Sequence, residues 1–447
     1  MLIVLIPNGA CSLNVSNNEI DSGPGDGDAD ADSDTDTDDD TETNTDTQCA
    51  GKPDFTLCSL VTEPDRSYDI CIDGACQSPG CGTFACNPPA PHFPLADTGQ
   101  RQCYGNDVEP MSCPGSVGAA TCAQTPYCGQ DAQYGWDVSH TSTERFDRTE
   151  PTSGEPIVTD NVTGLVWQAC PADLSGSECE SGKAVGYKWS QALAYCDALT
   201  WAGLDDWRVP DAYELFTIAD MGRDAPALDT SMFHYGPGLG EFWTSSYAGE
   251  DSTGSYENAR TVSFGSGEPS VTYVGYTNPI LCVRGTPTPR PTERLTRTEP
   301  VPGETIVTDK ATGLIWQGCA AGQEGTDCSG APEALAWTEA LAYCESLLWG
   351  GYGDWRLPDL KETWTIVDTR RLTPAIDLAA FPNATASVWF WSSTTHVGGW
   401  EVWPGDPDTD PVRAWEVGFE YGVLYTASKS QNPYPSATGT RCVRQGS

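Results

Sequence analysis

The chain has 447 residues, too many for one ordinary domain, and carries 64 acidic against 23 basic residues, a formal charge of −41. That charge argues against a nucleic-acid binder, since phosphates would be repelled, and opposes anionic membranes and sulfated polysaccharides; neutral sugars, cationic partners and calcium-bridged ligands stay open. Nineteen cysteines beside four scattered histidines (His92, His140, His234, His396) argue against Cys/His zinc pairs and for disulfides made in an oxidising compartment.

Residues 1–18 start Met-Leu-Ile-Val-Leu-Ile-Pro, like the tail of a signal-peptide apolar region, and run into Asn8-Gly-Ala-Cys11, which resembles a bacterial lipobox. Asn8 stands where an aliphatic residue is usual, so an unrelated apolar start with a stray cysteine is the alternative. Acylation of Cys11 leaves eighteen cysteines, an even set, and Cys11 is therefore the predicted lipid attachment. No stretch reaches the ~20 apolar residues that span a bilayer, so membrane contact is expected through the anchor only.

Residues 19–48 are dominated by Asp and Thr, with nothing to bury against the entropy of ordering, and read as a disordered acidic stalk. Asp28, Asp30 and Asp32 alternate as in a calcium loop, but Ser33 and Asp39 occupy the positions that need Gly and Glu. Residues 49–91 hold Cys49, Cys58, Cys71, Cys76, Cys81 and Cys86 and few large apolar side chains, predicting a small scaffold on three bridges of open connectivity. Residues 92–144, with Cys103, Cys113, Cys122 and Cys128, read as a loop-rich lead-in.

From 145 the chain repeats itself. Arg145-Phe-Asp-Arg-Thr-Glu-Pro returns as Arg294-Leu-Thr-Arg-Thr-Glu-Pro, and Thr159-Asp-Asn-Val-Thr-Gly-Leu-Val-Trp-Gln-Ala-Cys170 returns from Thr308 to Cys319. Asp206-Trp-Arg-Val-Pro-Asp211 matches Asp354 to Asp359, Phe242-Trp-Thr-Ser-Ser matches Phe390-Trp-Ser-Ser-Thr, and Cys282-Val-Arg matches Cys442-Val-Arg. The copies span 145–285 and 294–447, joined by a Pro-rich linker at 286–293. The second gains about twelve residues after its Trp-Ser-Ser.

Each copy reads as strand, helix, helix, then short strands. Trp189, Leu193, Cys196 and Leu199 recur at helical spacing, as do Trp337, Leu341, Cys344 and Leu348. Asp211 with Glu214, and Asp359 with Glu362, have capping-box spacing for a second helix after each proline. Alternation in Arg260-Thr-Val-Ser-Phe and Ala414-Trp-Glu-Val-Gly-Phe predicts strands. Each copy owns four cysteines. The expected bridges are Cys170–Cys179 and Cys319–Cys328 over short loops, and Cys196–Cys282 and Cys344–Cys442 from helix to last strand.

These blocks, with Trp189, Ala192 and Cys196 and their second-copy counterparts, resemble the Lcl C-terminal domain family, formerly of unknown function. The lead-in, with Thr98-Gly-Gln, Cys103-Tyr, Cys113-Pro, Gly129-Gln-Asp and Tyr134, is similar to what precedes that domain. The resemblance implies an α+β fold of two tandem C-type lectin-like domains, each with two helices and short twisted antiparallel strands. It also implies a bacterial surface lipoprotein with a role in adhesion. Glycosaminoglycan binding, found in one collagen-like adhesin of the family, is opposed here by the negative charge.

A Ser-His-Asp or Cys-His site needs a histidine base, and His234 and His396 do not align between the copies; His234 matches Asn383. Each copy's late cysteine has a structural partner, which argues against formylglycine-generating chemistry, and no carboxylate spacing marks a glycosidase. The chain is therefore read as not an enzyme. The Glu-Pro-Asn, Gln-Pro-Asp and Trp-Asn-Asp motifs of calcium-dependent lectins are absent from both copies. The candidate ligand site is the inserted loop of the second copy, where Trp400 and Trp403 could stack on a sugar and Glu401 could assist. Asp406, Asp408 and Asp410 offer oxygen ligands for calcium, the one candidate ion; no other cofactor is called for. A solvated acidic loop is the plainer alternative. Glu241, Trp243, Ser245 and Ser246 occupy the matching shoulder of the first copy, where a core role is favoured, and Arg208, Arg284, Arg356 and Arg444 read as internal partners.

The expectation is an exported protein, lipid-anchored at the bacterial outer membrane or cell surface, that recognises an extracellular carbohydrate or surface protein. A structural envelope scaffold is the alternative. A formylglycine-generating-type enzyme or a hydrolase is more remote.

Overall fold

The computed structural model describes residues 95–105, 109–118, 121–134, 145–223, 225–236, 240–250, 257–286, 294–384, 388–397, 413–429 and 438–446, with isolated strands before residue 95. The chain divides into two compact units, before and after Cys81. In the first, β1 (Leu2–Leu5) pairs antiparallel with β2 (Cys11–Asn14), and β3 (Leu57–Ser59), β4 (Tyr68–Ile72) and β5 (Ala75–Gln77) form a three-stranded antiparallel sheet. The stalk at 19–48, the bridges of the 49–91 module and the linker residues 287–293 lie outside the described residues.

The second unit opens with the lead-in: a small hairpin of β6 (Cys103–Tyr104) and β7 (Pro110–Met111), a 3-10 turn at Cys122–Gln124, and α1 (Asp131–Tyr134). Disulfides Cys103–Cys113 and Cys122–Cys128 hold it.

Repeat 1 begins with a sheet, not a single strand. β8 (Phe146–Thr152), β9 (Glu155–Asp160) and β10 (Val166–Gln168) run antiparallel, and β16 (Val283–Arg284) closes on β10. A short ribbon, β11 (Leu174–Ser175) with β12 (Ser181–Gly182), precedes α2 (Trp189–Asp197) and α3 (Ala212–Thr217). A second antiparallel sheet follows, β13 (Glu241–Glu250), β14 (Glu257–Ser263) and β15 (Pro269–Tyr273).

Repeat 2 copies this order. β17 (Leu295–Val301), β18 (Glu304–Asp309), β19 (Leu314–Gln317) and the closing β24 (Val443–Gln445) form its first sheet. α4 (Trp337–Ser346) and α5 (Leu360–Thr365) come next. Its second sheet is β20 (Trp389–Thr395), β21 (Arg413–Gly418) and β22 (Val423–Ser428), antiparallel, with β23 (Thr438–Gly439) parallel to β20.

The frame is built twice from the same bonds. Disulfides join Cys170 to Cys179, Cys196 to Cys282, Cys319 to Cys328 and Cys344 to Cys442, the four pairs that the duplicated spacing sets out. At the start of α3, the Asp211 carboxylate accepts the Glu214 amide, and Glu214 accepts the Asp211 amide while gripping both Arg208 Nη atoms at 2.7 and 2.6 Å. Asp359, Glu362 and Arg356 repeat this arrangement at α5. One carboxylate thereby fixes a helix start and neutralises an arginine. Trp189 and Trp337 place their indole N–H on the carbonyls of Thr244 and Ser392. The first helices end earlier than the apolar spacing predicts. α2 stops before Leu199 and α4 before Leu348; in the second copy Leu347 turns to extended backbone, and Leu348 is left 79 % exposed.

The repeats are not separate beads. One continuous core runs through both, from Phe146, Trp167 and Phe242 to Trp316, Trp364 and Phe390. The join is reciprocal: α3 packs on its counterpart α5, and β15 touches its counterpart β22. Tyr213 and Phe216 set their rings edge-on to Trp364 at 5.1 and 5.2 Å. The Tyr213 hydroxyl donates to the Val367 carbonyl, and Lys361 donates back to Thr217 O at 2.8 Å. Arg260 crosses from β14 to the carbonyls of Thr369, Arg371, Tyr421 and Gly422.

Candidate functional site

The inserted-loop residues Trp400, Glu401, Trp403, Asp406, Asp408 and Asp410 lie outside the described residues, which include only the base of that loop. There the His396 amide donates to Arg413 O at 3.0 Å, and the His396 ring meets Trp415 at 5.0 Å. The lead-in docks beside this base. Gln100 acts as a surrogate strand, its side chain donating to Thr395 O at 2.6 Å and accepting the Thr395 amide at 2.9 Å. Lys429 donates to Thr395 Oγ1 and stands 3.9 Å from the centre of the Trp337 ring.

Beneath this joint lies a buried acid. Asp131 accepts from Thr98 of the lead-in (2.7 Å) and from Thr394 of β20 (2.6 Å). Burial, reinforced by Asp97 and Glu362, raises its carboxyl to about 7. Asp359 is raised for the same reason, with Glu362 and Asp131 adding to it. Lys361, held by the carbonyls of Asp97 and Thr217, is drawn down to about 8 by burial.

The shoulder residues of repeat 1 are core. Trp243, Ser245 and Ser246 are buried, and Ser246 caps α3 by accepting the Ala212 amide. Arg284 and Arg444 pair side-on with Asp206 and Asp354, so the four arginines have internal partners. The late cysteines Cys282 and Cys442 are both bonded. Among the described residues, no group of three or more His, Cys, Asp or Glu is placed to hold a metal.

A second surface escaped the sequence reading. The register of β20, β21 and β22 sets Trp389 opposite Gly418, Trp391 opposite Glu416, and Glu416 opposite Tyr425, so these side chains share one face. Trp391 is buried in the cluster containing Trp337 and Leu341 of α4. The far end of the face carries Trp389 and Tyr425, rings 5.5 Å apart, with Tyr425 52 % exposed. Trp389 lies flat across Gly418, where a Cβ would sit 2.6 Å from its ring. Glu416 forms the floor, taking a hydrogen bond from Thr438 at 2.5 Å, and burial raises its carboxyl to about 7.

Repeat 1 builds the same position from polar groups. Glu241 replaces Trp389 and accepts from Thr261 (2.9 Å) and Thr272 (2.6 Å). Its exposed aromatic pair is elsewhere, Tyr273 with Tyr276 at 5.6 Å. Aromatic count alone could not locate either pair, because buried and exposed rings look alike in sequence; the offset of Trp389 by one residue from the Phe-Trp block was the available signal.

Residues 156–284 and 305–444 each match the model of the Lcl C-terminal domain. No curated protein matches the chain.

Proposed function

The chain belongs to the Lcl C-terminal domain family, and from that premise we propose that it recognises a neutral carbohydrate at a bacterial surface and performs no catalysis. Two tandem family domains suggest a surface or secreted protein. Six disulfides among the described residues fit export, and no helix there is long and apolar enough to cross a membrane. In this reading the repeats are C-type lectin-like, the stalk at 19–48 is disordered, and a lipid on Cys11 holds the chain at the outer membrane or cell surface.

The observation that carries recognition is the Trp389–Tyr425 pair over Glu416. Aromatic faces stack on the C–H faces of a sugar, and the Glu416 floor beneath them is already satisfied by Thr438, which leaves the rings as the contact surface. A net charge of −41 selects neutral over sulfated glycans. Trp400, Trp403 and Glu401, with calcium at Asp406, Asp408 and Asp410, would extend the site from the inserted loop. A glycan array probed with the full chain, with and without calcium, tests this. Binding to neutral glycans that falls at least tenfold in Trp389→Ala and Tyr425→Ala supports it; silence on every glycan rejects it in favour of an envelope scaffold. A ligand bound equally by both variants would place recognition elsewhere on the chain.

A further inference from the structure

Arg441 stands one residue before Cys442 in the last segment of repeat 2 and is 2 % exposed. Its Nη1 donates to the carbonyls of Gln317 and Gly318 at 2.7 and 2.8 Å. Its Nε and Nη2 are buried without a hydrogen-bond partner. Those two nitrogens form the side-on edge of the guanidinium, the edge that accepts an anion through two parallel hydrogen bonds. The same edge grips a carboxylate in four other arginines of this chain: Arg145 on Asp160, Arg294 on Asp309, Arg284 on Asp206 and Arg444 on Asp354.

The surroundings deepen the charge imbalance. The rings of Phe381 and Phe390 lie 4.6 and 5.4 Å from the Arg441 guanidinium. The neighbouring charge is another cation, Arg297, which donates to the same Gly318 carbonyl at 3.0 Å and to Ala380 O at 2.7 Å. Burial, with Arg297 adding to it, lowers Arg441 to about 9, which leaves it charged at neutral pH. The flanking segments 381–388 and 430–440 contain no Asp or Glu. Repeat 1 carries Leu281 at this place, packed in the core, so the fold itself does not require a cation here. A buried guanidinium with two unused donor atoms loses far more hydration than aromatic faces and two carbonyls return.

We propose that Arg441, seconded by Arg297, binds a small monovalent anion on its Nε–Nη2 edge, as an anion site that belongs to repeat 2 alone. A macromolecular anion does not fit so buried a group, whereas a halide or planar oxyanion does. Two measurements on the full chain test it. Crystals soaked in bromide are expected to show an anomalous peak within hydrogen-bonding reach of Arg441 Nε and Nη2. Thermal unfolding at constant ionic strength, with chloride replacing gluconate up to 100 mM, is expected to raise Tm by about 5 °C in the native chain. That rise should vanish in Arg441→Leu, which restores the side chain of repeat 1. No bromide at Arg441, or the same chloride response in Arg441→Leu, overturns the proposal; should the variant not fold, the bromide map of the native chain decides.

Discussion

Repeat 1 and repeat 2 hold their frames with the same bonds, yet they differ wherever a side chain leaves the frame. Glu241 and its threonines stand where repeat 2 has Trp389, Leu281 stands where it has Arg441, and Arg260 stands where it has Trp415. Among the described residues, it is repeat 2 that receives Asp131 and Gln100 of the lead-in on its second sheet. Duplication thus preserved what closes the fold and released what faces a neighbour or solvent. Of these positions repeat 1 uses Arg260 for the joint, while repeat 2 carries the aromatic surface at Trp389 and the buried guanidinium of Arg441.

The largest test of this division is covalent. Cys196→Ser and Cys344→Ser each open a long loop, of 86 and 98 residues, and each is expected to cost about 4–5 kcal/mol in denaturant unfolding. Because one core runs through both copies, either variant should lower a single shared transition. Two separated transitions would show that the copies fold independently after all.

Next is the joint. Arg260→Ala removes the guanidinium that bridges to the carbonyls of Thr369, Arg371, Tyr421 and Gly422 and is expected to cost about 3 kcal/mol, splitting the transition so that repeat 1 and repeat 2 melt apart. The change at the matching Trp415 should leave the transition single, and calorimetry distinguishes the two.

The lead-in joint should respond to pH. Asp131, raised to about 7, is held preferentially in its protonated form, so its support is full below about pH 4 and is lost as pH rises through about 7. Asp359, raised in the same direction, adds to the trend. The native chain is expected to lose about 2 kcal/mol or more between pH 5 and 8, and Asp131→Asn to lose less. An unchanged slope in the variant would remove Asp131 from the account. Smallest of all, Trp389→Ala and Tyr425→Ala should each shift stability by under about 1 kcal/mol while abolishing any glycan signal, since partly exposed rings contribute little to the core.

Much of the frame was legible. Repetition of Asp-Trp-Arg, the capping-box spacing and four cysteines per copy are local or duplicated signals, and they specified the second helices, the bridges and the internal roles of Arg208, Arg284, Arg356 and Arg444. The sequence predicts one strand where each copy opens with a sheet, because β8 and β9 and their counterparts β17 and β18 are joined by tight turns within a polar stretch that lacks clear alternation.

The sequence by itself determined the duplication, the export-type chemistry and the bonds within each copy, since each depends on residues whose partners recur at fixed spacing. Only the tertiary structure decided that the copies share a core, that the lead-in completes repeat 2, that Trp389 is half open while Trp391 is buried, and that two nitrogens of Arg441 are buried without a hydrogen-bond partner. Those facts depend on which distant segments come together, and a charge or a ring has the same letter whether it meets a partner, a core or water.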